Sequence, residues 1–326
     1  MKRVAALLAA VAMVAGAWAV RDLLVENDGA GGGAGDVPEQ LRLTCATELA
    51  LTCEQVAASV DGVVLSVQDP GLTADSIAQL ADGEDPGFDA WLADGPWAAM
   101  AADDRSFAGV EGAVIGEPSE VLVRSPALVV VQSSRQGALT EACGATITWR
   151  CIGEQAASFR VGLASPDRGD GLVPLAEATA SFFDTTDYSA VDFEEPGFST
   201  WFDSLTGLST RTALGRQSAL ATALTRAGTF NVVGALEAQS TTLLRGRDGW
   251  SAIYPEPMSI AEVQLVPRAG LDAEDLLDRL GGAELTTTLT DAGWRSTTGG
   301  ADAPVAIPDG SGLPSAGVLN ALRDRW

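Results

Sequence analysis

Leu41-Arg42-Leu43-Thr44, Gly62-Val63-Val64-Leu65-Ser66-Val67 and Phe88-Asp89-Ala90-Trp91-Leu92 are three short apolar runs, and a helical pattern separates each from the next. Short apolar runs bounded by turn-formers read as strands, and strands alternating with helices predict a parallel α/β sheet. Thr47 stands where it can cap the first helix, with Glu48 in the first turn and apolar periodicity over residues 51–60. The second run reads as a buried-type strand. Asp69-Pro70-Gly71 ends it, a short helix covers residues 73–80, and an Asp/Gly/Pro turn at 82–87 leads into the third run.

Further along, residues 121–123 and 127–131 are two apolar runs on either side of Arg124-Ser125-Pro126. Ile147-Thr148-Trp149 opens a helical stretch, residues 159–163 read as a strand, and Asp167-Arg168-Gly169-Asp170-Gly171 opens a helix over 172–183. Helices are expected from Phe198 and over 217–226. A strand at 230–234 feeds a helix that carries Glu237. Strands at 250–254 and 260–266 follow, then a helix over 272–280 that begins with acids suited to its dipole. Ser315 caps a last helix with Val318, Leu319 and Leu322 on one face.

Ahead of this body, Lys2-Arg3 precedes residues 4–20, which contain no charged or strongly polar side chain. Positive charge before an apolar run is the export pattern, and it leaves two readings open: an uncleaved membrane anchor or a cleaved signal peptide over 1–20. Residues 21–40, with Gly29-Ala30-Gly31-Gly32-Gly33-Ala34-Gly35, form a flexible linker. The chain is therefore expected outside the cytoplasm, anchored or secreted. An even number of cysteines in an exported chain points to disulfides. The equal spacing of Cys45, Cys53, Cys143 and Cys151 favours Cys45–Cys53 and Cys143–Cys151 over the crossed pairings. Eight residues of straight helix outreach a disulfide, so each pair must enclose a turn.

A net charge of −24 argues against nucleic acid, whose phosphates need basic patches. The chain has no histidine, and Lys2 is its only lysine. Ser-His-Asp and Cys-His catalysis, His-ligated metals, Schiff bases and the Walker lysine are excluded. Carboxylate-pair chemistry survives this filter, yet no pair stands out, so no enzymatic activity and no cofactor or metal are expected.

The order of elements resembles the type II periplasmic solute-binding proteins, in particular exported actinobacterial members. The likeness rests on Arg42-Leu43-Thr44-Cys45-Ala46-Thr47-Glu48-Leu49, Ser125-Pro126-Ala127-Leu128-Val129-Val130, Ile147-Thr148-Trp149-Arg150, Val161-Gly162-Leu163-Ala164-Ser165-Pro166, Val233-Gly234-Ala235-Leu236-Glu237 and Ile253-Tyr254-Pro255. It implies a two-lobed α/β fold with crossing hinge strands: lobe 1 from 41–125 and 246–326, lobe 2 from 126–245. It also implies a small solute in the cleft between the lobes, with an ABC permease or another envelope protein as partner. Strand ends and helix N-termini offer free N–H groups there, which suit a carboxylate or oxyanion. The ligand contacts expected on this basis are Thr47, Asp89, Trp91, Ser125, Asp167, Arg168, Gly169, Glu237 and Tyr254. The alternative is an anchored sensor or scaffold that binds another envelope protein.

Overall fold

The computed structural model describes residues 39–207, 217–297 and 304–326. The expected anchor or signal peptide and nearly all of the linker lie outside the described residues. Among the described residues, no helix is long and apolar enough to cross a membrane.

Strands β1 (Leu41–Ala46), β2 (Val63–Gln68) and β3 (Ala90–Asp94) form a parallel set in the order β2-β1-β3. Strand β8 (Ile260–Pro267) runs antiparallel beside β3 and joins this set to β4 (Val123–Gln132). Strand β4 belongs to two halves of the molecule. Val123–Pro126 pairs with β8 and with β9 (Arg295–Ser296), whereas residues 127–131 pair with β6 (Val232–Leu236). Strands β5 (Val161–Gly162) and β7 (Trp250–Ile253) complete the second half. Residues 246–326 are expected in lobe 1, yet β7 pairs within the second half, and the chain re-enters the first half with β8.

Two expectations about strands change. The runs at 121–123 and 127–131 do not form two strands: one strand, Val123–Gln132, takes in the end of the first run and all of the second, because Pro126 falls where pairing passes from β8 to β6. The next residue, Ala127, donates to Ser259 O at 2.8 Å. A proline at this seam removes a donor where the ladder changes partner. The run at 62–67 is not a buried strand. β2 is the sheet edge, with Val63 and Leu65 packed inward and Val64 and Val67 exposed. An apolar run alone does not separate edge from centre.

Twelve α-helices cover the sheets among the described residues. Those used below are α1 (Ala50–Ser59), α2 (Pro70–Gln79), α3 (Trp97–Phe107), α4 (Ser133–Cys143), α5 (Trp149–Glu154), α6 (Gly169–Phe183), α7 (Phe198–Thr206), α8 (Ala219–Thr225), α9 (Glu237–Leu243), α10 (Ala273–Leu280), α11 (Gly282–Asp291) and α12 (Ala316–Arg325). Asp272 caps α10 by accepting from Glu274 N and Asp275 N. Ser315 precedes α12 without a side-chain cap. Helix α11 has no counterpart in the sequence reading: Thr286, Thr287, Thr288 and Thr290 lower its propensity, and their hydroxyls bond back to carbonyls a turn earlier.

Leu41, Leu43 and Cys45 face a core made with α1, α10 and α11. The other major core runs through both halves. It joins Trp91, Trp97 and Met100 of the first half to Val129, Trp149 and Leu172 of the second, with Val318, Leu319 and Leu322 of α12 in the same cluster.

Both disulfides form in the pairing that the spacing favours, with Cα separations of 6.6 Å (Cys45–Cys53) and 5.7 Å (Cys143–Cys151). Each encloses a change of direction. The first joins the end of β1 to the first turn of α1, and the second joins the end of α4 to α5. An eight-residue separation corresponds to about 2–3 kcal/mol of stabilisation each by chain entropy. The unfolded, unreduced chain is therefore expected to take no maleimide, and reduction should lower the melting temperature. Two or more labels per chain would contradict the pairing.

Candidate functional site

The carboxyl ends of the three parallel strands meet the start of α6. Thr47 and Glu48 follow β1, Asp69 follows β2 and Asp94 ends β3; Arg168, Gly169 and Asp170 come from the second half. In open α/β sheets this end of the strands, where strand order reverses, is where ligands sit.

Arg168 occupies the centre, and its side chain is only 6 % exposed. Its Nε donates to Asp170 Oδ1 at 2.8 Å and its Nη1 to Asp69 Oδ1 at 3.2 Å. Its Nη2 lies 3.3 Å from both Asp170 Oδ2 and Glu48 Oε1. Burial works against the Arg168 charge, but the surrounding Asp170, Glu48 and Asp69 charges outweigh it and hold the guanidinium charged. Thr47 does not cap a helix: its hydroxyl donates to Asp69 Oδ1 at 2.7 Å and so orients one of Arg168's acceptors.

Two acids have no comparable support. Asp94 is fully buried, and neither of its carboxyl oxygens has a hydrogen-bond partner. A Cβ on Gly169 would come within 2.2 Å of Asp94 Oδ2, so only glycine lets the two halves approach this closely. Glu48 Oε1 lies 3.3 Å from Arg168 Nη2 as an ion pair, and neither Glu48 oxygen accepts a hydrogen bond. Burial, and then the neighbouring acids, raise Glu48 and Asp94 well above the ordinary carboxylate range. Nearby, Gln239 of α9 donates to Asp170 Oδ2 at 2.6 Å, which leaves its own Oε1 buried and without a donor.

Further bonds close the seam. Gly71 N donates to Asp167 O at 2.8 Å across it, and Arg323 of α12 bridges Asp75 at 2.9 Å and Asp167 at 2.8 Å. Asp167 also accepts from Ser165. The Arg323 guanidinium lies over Trp97, 5.8 Å from the ring centre.

The remaining expected contacts fall in two other places. Ser125, Glu237 and Tyr254 gather at the hinge. Ala238 N donates to Ser125 Oγ at 3.0 Å, and Glu237 accepts from Tyr254 OH at 2.5 Å and from Arg295 Nε at 2.6 Å. Gln239 and Glu237 both lie on α9, which links this hinge cluster to the Arg168 cluster. Asp89 precedes β3 and is taken up by Arg42 at 2.9 Å and Arg268 at 3.3 Å. Trp91 is fully buried against Phe88, with ring centres 6.1 Å apart. Beside the hinge, a groove of about 870 Å³ runs along Gly95, Arg124, Glu262, Arg295 and Leu313.

Free N–H groups suited to an anion are expected here; the structure instead brings carboxylates to the three strand ends. Glu48, Asp69, Asp94 and Gln239 are absent from the expected contacts. Their common signal is position: Glu48, Asp69 and Asp94 each stand at or just past the carboxyl end of a parallel strand. Among the described residues, no acid cluster has the geometry of a metal site.

No protein-family model matches the sequence, and no curated protein matches it. Solved structures do. The sulfate-binding protein SubI from Mycobacterium tuberculosis shares 14 % identity, covers 89 % of this chain and 99 % of its own, and gives a TM-score of 0.54. A periplasmic thiamin-binding protein shares 11 % identity over 91 % of this chain and 98 % of its own, with a TM-score of 0.53. The chain has the two-lobed fold of the type II periplasmic binding proteins. At such low identity the likeness carries the fold and not the ligand. In this binding-protein fold, Arg168 lies between the lobes.

Glu177 of α6 is fully buried near the hinge. Trp149 Nε1 donates to it at 2.7 Å and Ser259 N at 3.4 Å, yet burial outweighs both and raises its carboxyl to about 8. A carboxyl raised in the native protein binds its proton more tightly than in the unfolded chain. Its stabilising effect is complete below the ordinary value and is lost as pH rises towards 8. Glu48 and Asp94 shift in the same direction. The melting temperature is expected to fall between pH 5 and pH 8, and Glu177→Gln should flatten that slope. A melting temperature that rises across the window would contradict the assignment.

Proposed function

We propose that the protein is an extracytoplasmic solute-binding protein that takes a small ligand between its lobes. The observation that carries this reading is the convergence of polar side chains from three strand ends on the start of α6. That is the crevice where open α/β sheets place ligands. The sulfate- and thiamin-binding proteins that share the fold support a small-molecule ligand. Two disulfides and the Lys2-Arg3 export pattern support a location outside the cytoplasm. The reading gives no catalytic role to any residue. Its partners are the solute and an ABC permease or another envelope protein.

A specific observation favours a second reading, a sensor or scaffold with permanently closed lobes. The core is continuous across both halves, and Arg323 ties α2 to the Asp167 loop. Opening the cleft would have to break both.

A melting-temperature screen with amino acids, sugars, polyamines and small oxyanions separates the two. Under solute capture, one class raises the melting temperature and changes tryptophan fluorescence. At a hundredfold excess over its Kd, the ligand stabilises by about 2.7 kcal/mol. No shift across the screen, together with capture of one specific envelope protein, would support the scaffold. Alkaline phosphatase fused after Gly35 should be active in an exporting host; an inactive fusion would overturn the location.

A further inference from the structure

The interlobe cluster is unbalanced in charge and in hydrogen bonding. Four carboxyl groups, Glu48, Asp69, Asp94 and Asp170, surround one guanidinium. Arg168 donates to Asp170 and Asp69, and its Nη2 meets Glu48 as an ion pair only. The buried oxygens of the cluster without a hydrogen-bond partner are both of Glu48, both of Asp94 and Oε1 of Gln239. Buried acceptors without donors are costly, and a buried anion is tolerated only when it is paired or protonated. A ligand that completed this cluster would therefore bring positive charge and several N–H donors. An anion would meet four acids, and a neutral sugar would leave the charge uncompensated. With no acid cluster of metal-binding geometry among the described residues, an organic cation fits best.

Building on the solute-binding reading, we infer that the interlobe seat takes a cationic solute bearing a guanidinium or amine group, and that Arg168 holds the seat as an internal stand-in. Planar guanidinium groups match carboxylates through paired N–H donors, which the Arg168–Asp170 contact already displays. A solute that enters displaces the Arg168 head and also engages Asp94. Glu48 and Asp94, raised by burial, give up protons as the incoming charge settles.

The test uses the full chain. In Arg168→Ala, methylguanidinium should bind saturably and raise the melting temperature, at least tenfold more tightly than in the wild type; sulfate at equal concentration should do neither. Wild-type protein should bind putrescine, with Asp94→Asn weakening it at least tenfold. Calorimetry in two buffers of different ionisation enthalpy should show proton release. The putrescine arm stands even if Arg168→Ala does not fold. The inference is overturned if putrescine leaves the wild type unaffected and no folded Arg168 variant takes methylguanidinium, or if Arg168→Ala binds sulfate as tightly. A neutral or anionic solute bound by the wild type between its lobes would keep the solute-binding reading and remove only the cation assignment. No binding of any class would remove both.

Discussion

The relation between the two halves depends on one buried cation. Arg168 leaves the second half and ends among carboxylates supplied by three strand ends of the first. A buried ion pair adds little to stability compared with an apolar contact of equal size, but removing one partner from it costs about 3–5 kcal/mol. Arg168 therefore determines where the halves meet more than how stable each half is. The same close approach requires glycine at 169, where any Cβ would strike Asp94, and at 71, where it would come within 2.8 Å of Asp167 Cα.

Packing outside the cleft holds the same arrangement. Helix α12 rests on α3 of the first half and α6 of the second, with Leu319 and Leu322 fully buried between them. Its basic side chains reach both halves: Arg323 to Asp75 and Asp167, and Arg325 to Ser199 and over the rings of Phe198 and Phe202. At the hinge, Ser259 of the return crossing accepts from Ala127 of the outgoing one and donates to Glu177. Any opening motion has to work against an apolar cluster, an ion-pair bridge and a hydrogen-bonded crossing together.

Much of this is legible in the sequence because it depends on local pattern. The short apolar runs mark strands, Asp-Pro-Gly and Asp-Gly turns separate them, and repeated eight-residue spacing marks the disulfides. The crossing at Pro126 is also visible, though the reading divides one long strand into two. The grouping of the expected contact residues in space is legible in part. The Asp167–Gly169 loop and Thr47 do meet between the lobes, and Ser125, Glu237 and Tyr254 do gather at the hinge. Asp89 is an ion-pair acceptor within the first half, and Trp91 is a ring of the core that runs through both halves. Local pattern could not reveal the charge of the cleft. Glu48, Asp69 and Asp94 are far apart in the chain, and each looks like an ordinary acid at the end of a strand until the sheet brings them together.

The central claim is that Arg168 couples the halves through the acids that face it. A double-mutant cycle on Arg168→Ala and Asp69→Asn, measured by urea unfolding, addresses it directly, because the two side chains come from opposite halves and Arg168 Nη1 donates to Asp69 Oδ1 at 3.2 Å. The account predicts a coupling energy above about 1 kcal/mol, within the range of contacting groups. Effects that add to within about 0.3 kcal/mol, as they do for independent sites, would contradict it.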